Sequence, residues 1–168
     1  VTTKSLRFSP DLSGTEWKAL GMPLASAVIK NSTEEEISAP SAQNVDNGIW
    51  FARLKDNKTP EFVVDESAFG MAGLWAANGD TYTISSEGAF EFKTLEEPAA
   101  PTETGTFLMC SNPNTFTITL KQSAYILTAD GTSFEQEANP EIKPFQSFVL
   151  TDAKTLSTLR SLRIGDGV

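Results

Sequence analysis

The feature that most constrains the fold of this chain is a two-residue alternation of apolar and polar side chains. In residues 81–86, for example, Tyr82 and Ile84 alternate with threonine and serine. Period two places successive side chains on opposite faces of a strand, and polar alternates indicate a half-buried antiparallel sheet. Turn signals separate these runs roughly every eight to twelve residues, a spacing typical of sandwiches and barrels. The sequence predicts an all-β fold, an antiparallel β-sandwich or two small packed sandwich units.

Three hairpins are predicted from neighbouring runs. They are residues 81–86 with 89–93, residues 48–54 with 61–65, and the two runs within 123–137. The last contains Asp130-Gly131, a strong hairpin signal because a type I′ turn needs positive φ at both central residues. In "TFTITLKQ" the alternation predicts core positions for Phe116, Ile118 and Leu120.

Two stretches also allow short helices. In residues 23–37, Leu24, Ala27 and Val28 have helical spacing, and Ser32-Thr33 before three glutamates resembles a helix start. In residues 152–162 the leucines recur every third position, which predicts a helical turn before a last strand. We expect one or two short helices at most.

The segment 94–105, "TLEEPAAPTETG", is the candidate for an internal boundary. Its proline, alanine and glutamate content indicates an exposed loop or linker. The roughly 60 residues that follow are too few to be expected to fold as a separate domain. We therefore expect a single module over residues 1–168 with a long acidic connection inside it.

Charge limits the partners. The 168 residues include 22 acidic and 13 basic side chains, a formal net charge of -9. This field repels phosphate backbones and anionic lipid surfaces, so we expect no nucleic-acid partner. No stretch reaches about 18 consecutive apolar residues, so we expect no membrane insertion. The chain begins without an initiator methionine or a hydrophobic leader, and we expect any export signal to lie upstream.

The chain has no histidine and one cysteine, and this limits the chemistry. Ser-His-Asp and Cys-His catalysis need an imidazole, and a thiolate zinc cage needs several cysteines. Cys110, within the apolar run "TFLMCS", is predicted to be a buried structural thiol. No metal or cofactor is expected, and no catalytic residue is assigned.

The acidic residues allow two further types of site, a glycosidase active site and a calcium site. Glycoside hydrolysis needs two carboxyl groups in a walled cleft, whereas the acidic runs here lie in polar, loop-like segments. Clusters of aspartate and asparagine could suggest calcium, but none matches the twelve-residue calcium loop, and turns explain them better. They are Asp46-Asn47, Asn78 with Asp80, and Asp166.

Aromatic residues give the sharpest binding hypothesis. Trp50, Trp75, Tyr82 and Tyr125 could stack on sugar rings if they were coplanar and exposed on one sheet face. The alternative is that they fill the core, which the apolar runs around Trp50 and Trp75 favour. Trp17 is predicted to be a core anchor.

Three stretches together resemble a known group of proteins. They are "EWKALGMPL" (16–24), "AYILTADGTSFEQE" (124–137) and "NPEIKPFQSFVL" with the following "LRSLRIGDG" (139–167). In this order they are similar to the C-terminal β-rich regions of secreted or surface proteins of the Bacteroides group, many of which carry leucine-rich repeats. The chain departs from that pattern at "GMPL" and "QSF", and residues 25–75 do not align with it.

This resemblance implies an extracellular or outer-membrane location and a module that is not an enzyme. We expect an interaction, adhesion or spacer domain whose partner is a protein or glycan at the cell surface. The long polar loops 25–47 and 94–105 are the segments that we expect the sheet scaffold to hold towards this partner. A carbohydrate-binding module that uses the four aromatic residues is the alternative, and a glycosidase is the second alternative.

The stretch "IKPFQSFVL" (142–150) is predicted to be a strand that begins at Pro144. Phe145, Phe148 and Leu150 place large apolar groups on both of its faces. Such a strand must be covered on both sides. We interpret it as structural and not as a site.

Overall fold

A computed structural model gives the architecture of the chain. It describes residues 2–3, 7–8, 15–21, 27–37, 49–65, 72–86, 90–91, 97–112, 114 and 116–164. In the first half these contain strands β1 (Thr2–Thr3), β2 (Arg7–Phe8), β3 (Lys18–Gly21), β4 (Ala27–Lys30), β5 (Glu36–Ile37), β6 (Ile49–Leu54), β7 (Phe62–Val64), β8 (Ala72–Ala77), β9 (Thr83–Ser86) and β10 (Phe90–Glu91). In the second half they contain β11 (Phe107–Ser111), β12 (Ile118–Thr119), β13 (Ala124–Leu127), β14 (Ser133–Glu137), β15 (Glu141–Ile142), β16 (Ser147–Thr151), helix α1 (Ala153–Thr158) and β17 (Ser161–Arg163).

The strands form antiparallel sheets, and this confirms the predicted all-β, sandwich-like fold. The first sheet has the order β2-β9-β4-β5, the second β3-β8-β6-β7 and the third β11-β16-β13-β14-β17. Two short ladders, β1 with β10 and β12 with β15, complete the described strands. The third sheet lies entirely in the second half of the chain, so each half supplies its own sheets.

One core joins the second and third sheets. The second sheet contributes Ala52, Phe62 and Leu74, which share a face because of the strand register. The third sheet contributes buried residues that include Tyr125 and Val149. The rings of Phe62 and Phe134 stack with centroids 5.3 Å apart. The two halves are therefore packed through apolar side chains and are not separated by the 94–105 connection.

Both faces of the third sheet are covered. On the side away from the second sheet, Phe148 and Leu150 pack with Leu120 and Ile142 from the β12–β15 region. All five residues of β16 are buried, which confirms the prediction of a strand covered on both faces. The strand begins only at Ser147, however, and the predicted start at Pro144 is wrong.

The turn before β16 explains this difference. Phe145 has a φ of 59°, in the left-handed region, and cannot continue a strand. Its N–H donates to the carbonyl of Asn112, and its own carbonyl accepts from the N–H of Gly21 at 2.7 Å. The turn is thus held by Gly21 of β3 and by Asn112, which directly follows β11, and a local sequence pattern does not reveal such distant partners.

Polar contacts also join the halves. The Ser147 hydroxyl, fully buried, donates to the Gly73 carbonyl at 2.7 Å. The Lys58 ammonium lies 3.0 Å from the Glu103 carboxylate and donates to the Thr106 hydroxyl at 2.7 Å. These contacts place the β6–β7 turn against the segment that leads into β11.

The predicted helix in 23–37 is wrong where the structure describes it, from residue 27 onward. Residues 27–30 are β4, which pairs with β9 and β5, and Ile29 is completely buried. The Asn31 side chain accepts hydrogen bonds from the N–H groups of Thr33 and Glu35. These side-chain hydrogen bonds stabilise a turn at residues 31–35, where the sequence had suggested the start of a helix. Residues 23–26 lie outside the described residues.

The second predicted helix is confirmed. Helix α1 begins after Asp152, whose side chain accepts from the Thr155 N–H, and β17 follows as expected. Side-chain capping of this kind satisfies an N–H group that has no partner inside the helix.

Two of the three predicted hairpins are confirmed, β6 with β7 and β13 with β14. In the second, Gly131 has a φ of 72°, but Asp130 has no positive φ, so the expected type I′ turn is wrong. The third hairpin is also wrong, because β9 pairs with β2 and β4 while β10 pairs with β1. Residues 87–89 and 92–93 lie outside the described residues.

Candidate functional site

Three of the four aromatic residues predicted as a sugar-binding platform are buried. Trp75 and Tyr125 are fully buried and Tyr82 is 3% exposed. The rings of Trp75 and Tyr82 meet edge to face, with an interplanar angle of 69°, and are not coplanar. The predicted platform that combines these residues with Trp50 is therefore wrong, because the side chains of Trp75, Tyr82 and Tyr125 point into the core.

The phenol groups of the two tyrosines serve the fold. The Tyr82 hydroxyl donates to the Asn78 side-chain oxygen at 2.8 Å, and the Tyr125 hydroxyl donates to the Leu159 carbonyl at 2.6 Å. Burial raises the pKa of both phenols. Each hydroxyl thus ties a strand or turn to a neighbouring segment.

Trp50 is different, because 39% of its surface is exposed. Across the second sheet it lies opposite Ala76, and two residues further along the same strand Ala52 lies opposite Val64. Val64 is 37% exposed, whereas Ala52 is in the core. Trp50 and Val64 therefore lie at the rim of the face that packs on the third sheet, and we call this pair the Trp50 surface.

Trp17 has the position that the sequence predicts. It packs against the core between the second and third sheets and stays partly exposed. The β13–β14 turn approaches its backbone so closely that a Cβ atom on Gly131 would lie 2.6 Å from the Trp17 carbonyl oxygen. The start of β3 therefore packs tightly against the β13–β14 turn.

Cys110 packs against the core on the outer face of the third sheet and is partly buried. Burial raises the pKa of its thiol to about 11. A thiol with so high a pKa is almost entirely protonated at neutral pH and is a poor nucleophile. The structural role predicted for this residue agrees with its position.

Among the described residues, Asp152 is the buried carboxylate, and its oxygens are occupied. One oxygen accepts from the Gly105 N–H at 2.9 Å and the Thr155 hydroxyl at 2.7 Å, and the other from the Thr155 N–H at 3.0 Å. The hydroxyl of Thr155, with the two N–H groups, holds the pKa of Asp152 well below its usual range. This carboxylate joins the 97–106 segment to helix α1.

The aspartates considered as calcium ligands form turns. The Asp80 carboxylate accepts from the Thr81 N–H, and the Asn78 side chain accepts from the Asp80 N–H. In the described residues no group of three or more carboxylate or cysteine side chains is arranged to hold a metal ion. Asp46, Asn47 and Asp166 lie outside those residues. No helix in the described part of the chain is long and apolar enough to cross a membrane.

Two apolar side chains are exposed that the sequence does not predict to be exposed. Phe116, predicted to be in the core, is 62% exposed, and Leu108 on β11 is 41% exposed. The prediction for Phe116 is wrong because the strand starts at Ile118, while the buried Asn112 side chain donates to the Phe116 carbonyl and fixes the segment before it. Leu120 is buried, as predicted, and Ile118 packs against the same core.

Comparisons with protein-family models, with curated proteins and with solved structures found no match to this chain. The fold therefore defines only the structural class of the protein, which is all-β with antiparallel sheets and sandwich-like packing. The similarity of its motifs to Bacteroides surface proteins stays a prediction.

Proposed function

We propose that the chain is an exported, non-enzymatic β-module of a bacterial surface or secreted protein, acting in protein interaction and adhesion or as a spacer. The extracellular or outer-membrane location follows from the motif resemblance. The binding role rests on one observation, the exposure of Trp50 at the rim of the second sheet. Its strand is paired on both sides, with β7 and β8, so the ring is presented by a rigid support.

Physical chemistry favours this role for the Trp50 surface. Tryptophan is enriched among the few residues that dominate protein interfaces, because it buries a large area with little loss of side-chain freedom. Val64 adds an apolar neighbour on the same face of the sheet, whereas the Arg53–Asp65 ion pair, at 2.7 Å, lies on the opposite face. Exposed apolar side chains of this kind are typical of the centre of a protein-binding surface.

The experiment compares the wild-type chain with Trp50→Ala. Both are immobilised and tested by surface plasmon resonance against matrix proteins, native and deglycosylated mucin, and a glycan array. Binding to a protein probe that Trp50→Ala weakens at least about tenfold supports the interaction role. Leu108→Ala, which truncates a similarly exposed apolar residue on another sheet, is the matched control.

Other outcomes discriminate among the alternatives. Binding to isolated glycans that is lost in Trp50→Ala favours a carbohydrate-binding module with a single stacking ring. Hydrolysis of aryl glycosides that a carboxylate substitution abolishes favours a glycosidase. Absence of binding to every probe contradicts the interaction role and leaves the spacer role.

A further inference from the structure

The turn that follows β8 contains an asparagine–glycine pair. Asn78 and Gly79 are both exposed, so water reaches the pair. Gly79 has a φ of 100°, and a Cβ atom built on it would meet, among the described residues, only a methyl carbon of Thr15, at 3.7 Å. These open surroundings leave the main-chain nitrogen of Gly79 accessible to the side chain of Asn78.

The side chain of Asn78 is held by two hydrogen-bond donors. Its oxygen Oδ1 accepts from the Asp80 N–H at 3.3 Å and from the Tyr82 hydroxyl at 2.8 Å. The first bond folds the side chain back over the Gly79 peptide, because it joins the residues on either side of that glycine. The Tyr82 side chain is 3% exposed, so packing fixes the second donor.

This arrangement favours attack of the Gly79 nitrogen on the Asn78 side chain. In that attack a bond forms between the nitrogen and Cγ, and negative charge develops on Oδ1. Donors that already point at the atom where charge develops lower the barrier, because they need no reorganisation during the reaction. The two bonds to Oδ1 have that orientation before the reaction begins.

We propose that Asn78 is a site of spontaneous deamidation, in which the Gly79 nitrogen is the nucleophile and the Tyr82 hydroxyl and the Asp80 N–H accelerate the reaction. The Gly79 nitrogen gives up its proton as it bonds to Cγ. The Cγ–Nδ2 bond then breaks, and the amide group takes up a proton and leaves as ammonia. This inference is independent of the role proposed for the Trp50 surface.

Water completes the reaction. The first step leaves a five-membered succinimide ring, and water opens this ring at one of its two carbonyl groups. One opening gives aspartate. The other gives isoaspartate, in which the main chain runs through the side-chain carbon of residue 78.

The other described asparagines lack this arrangement. Proline follows Asn112 and Asn139, and a proline nitrogen has no proton to give up. Residues with a Cβ atom, which hinders approach to the following nitrogen, come after Asn31, Asn57 and Asn114. Asn78 is therefore the position at which we expect the described part of the chain to deamidate.

The Asp130-Gly131 pair is an internal comparison, because aspartate can form the same ring by losing water. Hydrogen bonds from the hydroxyls of Thr128 and Thr132 hold the pKa of Asp130 below its usual range, so its carboxyl group stays ionised and is a poor electrophile. Gly131 is also crowded, since an added Cβ atom would lie 2.6 Å from the Trp17 carbonyl oxygen. We expect Asp130 to stay unchanged.

The modification reaches the core through Tyr82. The Tyr82 ring contacts the buried Trp75 ring edge to face, with centroids 5.7 Å apart. Asn78 follows β8 of the second sheet, and Tyr82 precedes β9 of the first, so the turn connects the two sheets. Aspartate keeps an acceptor for Tyr82 but adds a negative charge beside Asp80, whereas isoaspartate lengthens the main chain and displaces that acceptor.

Peptide mapping by mass spectrometry, during incubation of the full chain at neutral pH, tests the proposal. Trypsin releases residues 59–93, in which Asn78 is the single side-chain amide. This peptide should gain the mass of an amide-to-carboxyl conversion and become a substrate for an isoaspartyl methyltransferase. Asn47, which also precedes glycine and lies outside the described residues, falls in a different peptide.

The rate shows whether the fold accelerates the reaction. Deamidation of Asn78 should be at least about tenfold faster in the folded chain than in guanidinium chloride at the same pH, because unfolding removes both donors. A rate in the folded chain that equals or falls below the rate in guanidinium chloride overturns the proposal. The hydrogen bonds of Asn78 would then protect the amide.

Two tyrosine variants separate the Tyr82 donor from general stability. Tyr82→Phe should slow deamidation of Asn78 at least about tenfold. Tyr125→Phe is the matched control, since it removes a hydroxyl from another buried ring, in the third sheet, and should leave the rate unchanged. Circular dichroism establishes that each variant is folded, and if Tyr82→Phe is not, the comparison of folded and unfolded wild type decides alone. A folded Tyr82→Phe chain that reacts as fast as the wild type overturns the proposal, and so does equal slowing in both variants.

Discussion

Replacing Ser147 by alanine tests how the two halves of the chain are joined. The serine is fully buried on the third sheet, and its hydroxyl donates to the carbonyl of Gly73 on the second sheet. The substitution removes a single oxygen and adds no volume. Any loss of stability therefore reports the hydrogen bond between the two sheets.

The expected loss is about 1–2 kcal/mol. The substitution leaves the buried Gly73 carbonyl without its donor, and water cannot reach it to take the donor's place. The loss of stability in such cases ranges from about 1 to 3 kcal/mol. We take the lower part of that range because a carbonyl oxygen can keep a second hydrogen bond. For a domain of this size, 1 kcal/mol corresponds to roughly 2–4 °C, so the melting temperature should fall by about 2–8 °C.

Ser157→Ala is the matched control. Its hydroxyl also donates to a carbonyl at 2.7 Å, that of Lys154, but on the exposed surface of helix α1. Water can replace this bond, and alanine has a slightly better helix propensity than serine. We expect Ser157→Ala to change the melting temperature by less than about 2 °C.

Thermal unfolding followed by tryptophan fluorescence and by far-ultraviolet circular dichroism measures both effects. The tryptophans lie in the first half of the chain, whereas circular dichroism reports strands in both halves. The two signals should change together in the wild type and in Ser147→Ala. Equal melting temperatures for the two serine variants would refute the reasoning, and so would separate transitions for the two signals.

Three further predictions follow from local geometry. Gly73→Ala should cost about 1–3 kcal/mol because a Cβ atom would lie 2.5 Å from the Phe51 ring, whereas Gly105→Ala meets only backbone strain at a φ of 79°; chemical denaturation measures both. Trp50→Phe should remove the most iodide-accessible part of the tryptophan fluorescence. The Cys110 pKa of about 11, compared with an ordinary 9.0, lowers the thiolate fraction about a hundredfold, so reaction with a disulfide reagent at pH 8 should be slower by that factor than in the unfolded chain. Because this pKa is raised on folding, the stability that it contributes should be present below pH 9 and lost as the pH rises towards 11.

The sequence predicted strands well and their partners poorly. Alternation identified residues 81–86 as a strand, because side-chain period depends on local backbone geometry. The pairing of that strand with β2 and β4 depends on segments more than fifty residues away in the chain. Hairpins were predicted correctly where a short polar turn joins two runs, as between β6 and β7. Strand partners distant in the chain leave no signal of that kind.

The same limit applies to the aromatic residues. Tyr82 alternates with threonines and Trp50 lies in an apolar run, patterns that both favour burial, yet Tyr82 is buried and Trp50 is 39% exposed. Alternation reports which face of a strand a residue occupies. It does not report how far the neighbouring sheet extends over that face. Trp50 lies where the cover of the third sheet ends, and this boundary is set by the stacking of sheets from both halves.

Strand β11 shows most clearly what only the structure supplies. The run "TFLMCS" is apolar, and apolar runs in a sequence favour a central strand that is paired on both sides. Strand β16 meets that expectation, since it lies between β11 and β13 and is buried throughout. Strand β11 has the same character at the end of the sheet, with Leu108 exposed. At Phe107 the edge is covered by the β6–β7 turn, because the Phe107 N–H donates to the Asn57 carbonyl at 2.8 Å, and a local apolar pattern cannot reveal a cover from the other half of the chain.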